Sequence, residues 1–212
     1  MIEPVPVIEP ASVIEPVEIR PYRPTDYDGI TRVCVQTAEA GGDARGLYSS
    51  DDLMPDIFAR PYVHFAPDLA FVVDDGAVGG YILGVADTRA FVDWYSREWL
   101  PVLGERYEHV DPWTDKNEFI THLGFWPERM LIPEVDDYPA HLHIDLLPHL
   151  QGRGLGRELI AVLSDALQAR GVAGLHLTMD SANTAARAFY DRLGFVELPS
   201  SRPDAPVLGI RL

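Results

Sequence analysis

The chain has 212 residues, of which 47% are hydrophobic and 24% charged, a composition typical of folded globular proteins and not of disordered ones. Its 33 Asp and Glu residues against 17 Lys and Arg give a formal net charge of -16. Such an acidic surface disfavours nucleic acid and anionic membrane lipid as partners, because both present closely spaced phosphates.

The single cysteine, Cys34, excludes an intramolecular disulfide and every zinc site built from several cysteines. We interpret it as a core residue on an apolar helix face. The sequence has no apolar run near the roughly 18 residues of a membrane helix, and its N-terminus lacks the basic and apolar regions of a signal peptide. These features predict a cytoplasmic protein.

The first 16 residues repeat Ile-Glu-Pro three times, beginning at Ile2, Ile8 and Ile14. Because proline blocks helices and central strands, the repeat predicts a flexible extension ahead of one domain, residues 17–212. A docking tail for a partner is the alternative interpretation.

Strand and helix patterns alternate from Val17 to Ala86. Thr25 or Asp26 can cap the first helix, and an Asp-Asp-Gly turn at residues 74–76 predicts a hairpin. The predicted elements are a strand at 17–19, helices at 27–40 and up to residue 58, and strands at 69–73 and 80–86.

Residues 88–138 form the least regular part of the sequence and contain all four tryptophans. Helical spacing is visible only around Phe91, Tyr95, Trp99 and Leu103. The aromatic residues here either pack in the core or line a substrate cleft.

The last third is more regular. Residues 141–147 predict a strand, Leu155, Leu159, Leu163 and Leu167 share one face of a helix, and Leu175, Leu177 and Met179 alternate as in a strand. A second helix starts at Asn183, and Val196 and residues 207–212 predict closing strands.

A glycine-rich turn, residues 151–156, leads into the leucine-bearing helix. Such a turn exposes backbone N–H groups at a helix N-terminus and can bind phosphate, with Arg153 and Arg157 adding positive charge. The Gly-Lys-Ser/Thr ending of a P-loop is absent, and the glycine spacing does not match a Rossmann fingerprint. A pyrophosphate site for coenzyme A, or a plain strand-to-helix turn, remains.

Two motifs carry a resemblance to a known family: Gln151-x-x-Gly154-x-Gly156, and Asn183-x-x-Ala186-x-x-x-Tyr190 followed by Leu-Gly-Phe. Together they resemble the GNAT superfamily of acyl-CoA-dependent N-acyltransferases. The resemblance implies an α/β (α+β) fold with a mixed, mostly antiparallel sheet flanked by helices, in which splayed strands form the acyl-CoA cleft. Residues 88–138 would be a variable insertion that shapes the acceptor cleft.

A narrower resemblance rests on the run Ala140-His-Leu-His-Ile-Asp145, the C-terminal residues 207–212 and the long insertion. These are similar to bacterial relatives of the acetyltransferase-like C-terminal domain of O-GlcNAcases. That domain in animals is regarded as lacking a proper acetyl-CoA site, whereas this chain retains Gln151, Gly154 and Gly156.

The resemblance also implies roles for particular residues. The backbone of Leu146 and Leu147 would contact pantetheine, and Tyr190 would be the general acid that protonates the departing thiolate, a role that suits a pKa near 10. Asn183 would bond pantetheine or cap its own helix. The pyrophosphate would be held by Gln151, Gly152, Arg153, Gly154, Leu155 and Gly156.

An amine acceptor must lose a proton near attack, and Asp145 is the first candidate for the base. His141 and His143 lie on the same strand face as Asp145 and would relay protons or bind substrate. Glu118 in the insertion is a further substrate-binding candidate. A metal held by these two histidines and Asp145 is the less favoured alternative, so we expect no metal.

The resulting prediction is an N-acetyltransferase that moves an acetyl group from acetyl-CoA directly to an amine acceptor, acting as a monomer or homodimer. The alternatives are a non-catalytic acetyl-CoA-binding module, and transfer of another acyl chain or to a hydroxyl.

Overall fold

The structure is a computed structural model that describes residues 17–212. The flexible extension predicted for residues 1–16 falls outside this range. Within it, seven strands form one sheet: β1 (Glu18–Pro21), β2 (Ala70–Asp74), β3 (Val78–Val85), β4 (Ala140–Leu146), β5 (Gly174–Thr178), β6 (Val196–Glu197) and β7 (Val207–Arg211).

Eight α-helices belong to the same range: α1 (Tyr27–Thr37), α2 (Leu53–Phe58), α3 (Arg60–Phe65), α4 (Thr88–Trp94), α5 (Leu100–Arg106), α6 (Lys116–Phe125), α7 (Leu155–Gln168) and α8 (Thr184–Arg192). A π-helical turn, Tyr95–Trp99, joins α4 to α5. None of the helices between residues 17 and 212 has both the length and the apolar character needed to cross a membrane.

The strands lie in the order β1-β2-β3-β4-β5-β7-β6. Every neighbouring pair is antiparallel except β4 and β5, which are parallel. A parallel pair needs a crossover connection, and α7 provides it here. The predicted mixed, mostly antiparallel sheet flanked by helices is confirmed.

The leucine repeat of α7 packs on one face of the sheet. Its four leucines are all buried, and Leu159, Leu163 and Leu167 have no exposed surface. Each contributes about 1.5–3 kcal/mol by leaving water. Leu163 lies against Gly84 of β3, where an added Cβ would come within 2.6 Å of the leucine side chain.

Helix α1 covers the opposite face with Ile30, Val33 and Cys34, the last only 1% exposed as expected for a core residue. The predicted side-chain cap of α1 is wrong, because the Asp26 carboxylate instead accepts hydrogen bonds from the Arg20 side chain and the Arg23 N–H. Helix α1 also ends at Thr37 and does not extend to Ala40.

Three of the four tryptophans fit one of the two interpretations, and the exposed Trp113 fits neither. Trp99 is buried and Trp94 half-buried in the core, whereas Trp113 and Trp126 are 49% and 44% exposed. Trp126 borders a large cavity. The insertion therefore supplies both core and cavity wall.

Candidate active site

The parallel strands β4 and β5 separate soon after they meet. Only Ala140 and His141 of β4 pair with β5, opposite Leu175 and His176. Strand β4 nevertheless stays paired with β3 as far as Leu146. The far half of β4 therefore has one free edge, which faces an opening between the strands.

Backbone groups of two β4 residues face this opening. The N–H of Leu147 donates to the carbonyl of Gly79 at the end of β3. Because hydrogen-bonded and non-hydrogen-bonded pairs alternate along antiparallel strands, Ile144 and Leu146 turn their N–H and C=O groups away from β3. These are the groups that an extended ligand in the opening can reach.

In Leu147, by contrast, both backbone groups are already hydrogen-bonded. Its N–H is bonded to Gly79 and its carbonyl accepts from the N–H of Leu150 at 2.9 Å. The carbonyl of Leu146 accepts from the Gln151 side chain at 2.8 Å. Gln151 thus ties the glycine-rich loop to the end of β4, and Leu147 offers no free backbone group to the opening.

Residues 151–156 form the turn into α7, as the sequence predicts. Gly152 and Gly154 have φ of +72° and +87°, a left-handed conformation that favours glycine. Within the described chain, the N–H groups of residues 152–156 have no hydrogen-bond acceptor. They lie at the positive end of a 14-residue helix and suit a diphosphate.

Asn183 and Tyr190 lie at the start and near the end of α8. The side-chain oxygen of Asn183 accepts from the N–H of Ala186 at 3.0 Å, so Asn183 caps the helix, and it also borders the cavity. Tyr190 is 7% exposed and its ring packs against Phe189 and Phe195. Burial raises the pKa of Tyr190, and the charge of Asp145 raises it further, so the phenol stays protonated.

One cavity of about 750 Å³ is bordered by part of β4 and by α8. Ile144 on the free edge of β4 borders it, as do Tyr190, His143 and Asp145, whereas Leu146 and residues 151–156 are not among its lining residues. Its far wall comes from α6 and the residues after it, including Leu123, Trp126 and Arg129. The cavity thus places the candidate acid of α8 and the titratable residues of β4 around one space.

His143 and Asp145 share a hydrogen-bond partner, Tyr81 of β3. The Tyr81 hydroxyl donates to the Asp145 carboxylate at 2.5 Å, and its oxygen lies 3.2 Å from Nδ1 of His143. Nδ1 also lies 3.5 Å from the Asp145 carboxylate. A proton on Nδ1 satisfies both contacts, which leaves Nε2 of His143 as the unprotonated nitrogen.

Desolvation shifts the pKa values of His143 and Asp145 in opposite directions. Burial lowers the pKa of His143, and the charge of Asp145 only partly offsets this effect. Burial raises the pKa of Asp145, against the opposing effects of His143 and the Tyr81 hydroxyl. Both shifts favour the uncharged forms, so His143 is a free base at neutral pH.

Two other predicted substrate residues lie elsewhere. His141 is buried, with Nδ1 2.8 Å from the Thr88 hydroxyl and Nε2 3.0 Å from the Tyr62 hydroxyl, and it does not border the cavity. The Glu118 carboxylate accepts from the N–H and hydroxyl of Thr114, also away from the cavity. These contacts favour structural roles for both residues.

A metal on β4 finds no support in residues 17–212, where no group of three or more His, Cys, Asp or Glu side chains is placed to hold an ion. His141 bonds to Thr88 and Tyr62 and does not join His143 and Asp145.

Three residues of the site were not anticipated from the sequence: Tyr81, Phe58 and Arg129. The Phe58 ring stacks on His143 at 5.8 Å between centroids, and the Arg129 guanidinium carbon lies 5.4 Å from the same ring. Tyr81 reaches Asp145 from 64 residues away along the chain. No local pattern predicts such contacts, although the strand pairing of β3 with β4 brings Tyr81 opposite Asp145.

A family model described as the acetyltransferase (GNAT) family matches residues 42–195, a range that includes β4, the loop before α7 and Tyr190. The chain belongs to the GNAT family. Both motifs on which the resemblance rested lie inside the matched range.

Individual GNAT relatives agree with the narrower resemblance. Rat protein O-GlcNAcase is 27% identical over 187 residues, which cover 85% of this chain but only 20% of the O-GlcNAcase. The chain therefore spans about a fifth of the length of this curated relative. A ribosomal protein bS18-alanine N-acetyltransferase of Escherichia coli K12 is 35% identical over 104 residues, 44% of this chain and 70% of the enzyme.

Among solved structures, that of SsHAT is similar to this GNAT chain over nearly its whole length. It is 51% identical, with a TM-score of 0.86, and the match covers 92% of this chain and 98% of SsHAT. The insertion and the closing strands are therefore part of a shared architecture.

Proposed function

We propose that this chain transfers the acetyl group of acetyl-CoA directly to an amine, without a covalent enzyme intermediate. One observation carries the proposal: Ile144 on the free edge of β4, the buried Tyr190 and His143 border the same cavity. The bS18-alanine N-acetyltransferase among its relatives supports an amine acceptor.

The polar groups of β4, of the loop before α7 and of Asn183 suit the parts of acetyl-CoA. Pantetheine would lie along β4 and bond the backbone of Ile144 and Leu146. Its pyrophosphate would accept from the unpaired N–H groups of residues 152–156, with the exposed Arg153 side chain nearby. Asn183, whose carbonyl oxygen caps α8, still has an amide N–H₂ at the cavity wall.

The transfer needs a base and an acid on opposite sides of the thioester. The amine nitrogen attacks the carbonyl carbon and gives a tetrahedral intermediate, while Nε2 of His143 accepts the proton that the nitrogen loses. The intermediate collapses with cleavage of the C–S bond, and the thiolate of CoA takes the proton of Tyr190. The products are an amide and CoA with a free thiol.

Asp145, the base favoured by the sequence, acts here as a positioning residue. Its carboxylate accepts the Tyr81 hydroxyl proton and lies 3.5 Å from Nδ1 of His143. This contact holds the imidazole in the tautomer with a free Nε2 and stabilises the imidazolium that forms during attack.

The test is thiol release from acetyl-CoA in the presence of a panel of primary amines, with mass spectrometry of the acetylated product. We expect turnover, and we expect Tyr190→Phe to lower kcat by about 10²–10⁴-fold with an unchanged Kd for acetyl-CoA. Tyr22→Phe, which changes a half-buried tyrosine outside the cavity, is the control and should be fully active.

Acetyl-CoA binding without transfer to any amine would favour the non-catalytic module. Transfer to alcohols alone would favour a hydroxyl acceptor, and transfer only from longer acyl-CoA donors would favour a different acyl chain. Full activity of Tyr190→Phe would remove Tyr190 as the acid.

A further inference from the structure

One positively charged side chain of the cavity wall, that of Arg129, has no anionic partner among residues 17–212. All 17 Lys and Arg residues lie in the described part of the chain, and only four of them are not exposed. Three of the four pair with carboxylates: Arg20 with Asp26, Arg60 with Asp56, and Arg187 with Asp191. Arg129 has no carboxylate of residues 17–212 within 4.0 Å.

Among the described residues, the contacts of Arg129 hold its side chain at Nε and leave its two terminal nitrogens without a partner. It lies in the 3₁₀ turn Pro127–Met130 after α6, and its Nε–H donates to the carbonyl of Leu123 at 2.9 Å. Its guanidinium packs on Phe58. The two terminal nitrogens have no hydrogen-bond partner among the described residues, and the side chain borders the cavity.

The ionisable residues around Arg129 are uncharged at neutral pH. Burial raises the pKa of Tyr62 to about 12 and also raises that of Tyr95. Burial lowers the pKa of His141 and of His143, and the charge of Arg129 lowers both further. A partly buried guanidinium without a counterion is unfavourable. Arg129 has no such counterion among residues 17–212, although the sequence contains 33 Asp and Glu residues.

We propose that Arg129 binds the carboxylate of the acceptor, and that the acceptors of this chain are free amino acids or similar small amines with a carboxylate a few bonds from the nitrogen. A guanidinium binds a carboxylate through two parallel N–H···O bonds. This inference rests on the proposed function, because it assigns the substrate of the same cavity.

Two contacts of Phe58 place Arg129 near His143. Phe58 contacts both the His143 imidazole and the Arg129 guanidinium, so these two groups are at most one aromatic ring apart. Arg129 and His143 also border the same cavity, so an acceptor whose carboxylate binds Arg129 would lie in the space that His143 borders. A free amino acid with an uncharged side chain has no net charge, so the overall charge of -16 does not repel it.

The test compares each of the common amino acids with its primary amide, which keeps the amine and the side chain but removes the negative charge. With the wild-type protein we expect kcat/KM to be at least about tenfold higher for the best amino acid than for its amide. Arg129→Gln should abolish this preference by raising KM for the amino acid, with the amide unaffected, and Arg129→Lys should retain part of it.

Arg97→Gln is the matched control. Arg97 also donates from Nε to a backbone carbonyl, that of Asp93, but it is exposed and does not border the cavity. The Arg97→Gln variant should keep the wild-type preference for amino acids over their amides. Equal use of amino acids and amides by the wild type, or an equal loss for both in Arg129→Gln, would overturn the proposal.

Calorimetry separates this proposal from the proposed function. N-acetylated amino acids and their N-acetylated amides are titrated into protein saturated with CoA. Suppose that the wild type binds the N-acetylated amino acids but not their amides, and that Arg129→Gln binds neither. This result would support the carboxylate site even if no amine were acetylated. Absence of such binding together with absence of turnover would overturn both.

Discussion

At the scale of single residues, the candidate base depends on how burial changes the protonation of neighbouring groups. His143 and Asp145 lie on one strand face, where desolvation lowers the pKa of the imidazole and raises that of the carboxyl. The pKa of Tyr190 on α8 is shifted upward by the same cause. The base is therefore unprotonated and the acid protonated over a wide range around neutral pH.

The pH dependence of kcat/KM should report the protonation of His143 and Tyr190. When it is expressed per concentration of unprotonated acceptor amine, kcat/KM should rise with pH through an apparent pKa below 6.5, because the pKa of His143 is lowered. It should then stay constant, because the raised pKa of Tyr190 keeps this acid protonated beyond pH 10. His143→Gln should lower kcat/KM by about 100-fold and remove the acid limb. The measurement is the rate of thiol release from pH 5 to 10.

His109→Gln, which changes an exposed histidine outside the cavity, should leave the profile unchanged. An acid limb that survives in His143→Gln but disappears in Asp145→Asn would identify Asp145 as the base and contradict its role as a positioning residue.

At the scale of elements, the proposed coenzyme site depends on the loop between β4 and α7. Gly154 has φ of +87°, and the nearest atom in its Cβ direction belongs to the Glu158 carboxylate at 4.0 Å. A side chain at this position would begin within the loop whose N–H groups, at residues 152–156, have no acceptor among the described residues. The loop therefore requires glycine for two reasons, its backbone conformation and the space that a diphosphate needs.

Gly154→Glu should raise the Kd for acetyl-CoA by at least about 100-fold, because the new side chain is both bulky and negatively charged beside the pyrophosphate. The strained φ should also cost about 1–3 kcal/mol of stability. Isothermal calorimetry and urea unfolding measure the two effects separately.

Gly171→Glu is the control for strain. Gly171 also has a positive φ, +73°, with nothing near its Cβ direction, but it follows the far end of α7. It should lose similar stability and bind acetyl-CoA normally. Equal loss of binding in both variants would mean that strain, and not the phosphate site, explains the effect.

Elements with a local sequence signal were predicted well. The leucine spacing of α7, the alternation of β5 and the glycine-rich loop all depend on neighbours a few residues apart, and the structure contains each of them. In contrast, α6 was missed, because its sequence Lys116–Phe125 has no regular apolar spacing and is bounded by Pro- and Trp-bearing segments.

The acceptor side of the cavity could not be predicted for a different reason. Phe58 from α2, Tyr81 from β3 and Arg129 from the turn after α6 meet His143 only through the packing of distant elements. Likewise, the family resemblance implies that the backbone of both Leu146 and Leu147 contacts pantetheine, but the hydrogen-bond alternation between β3 and β4 decides which residue is free.

At the scale of the whole molecule, charge and coenzyme binding have to be reconciled. A protein with a net charge of -16 repels phosphates on average. The loop before α7 offsets this repulsion through backbone N–H groups, a helix N-terminus and two exposed arginines, Arg153 and Arg157. A phosphate-bearing ligand can therefore bind at one place on an otherwise acidic surface.

The proposed catalytic arrangement makes one geometric demand, which is tested most directly by a crystal structure with bound acetyl-CoA. The pantetheine should run along β4 in contact with Ile144 and Leu146, with the thioester sulfur within about 3.5 Å of the Tyr190 hydroxyl and the carbonyl carbon facing Nε2 of His143. A coenzyme that lies outside the opening between β4 and β5, or a thioester out of reach of Tyr190, would contradict it.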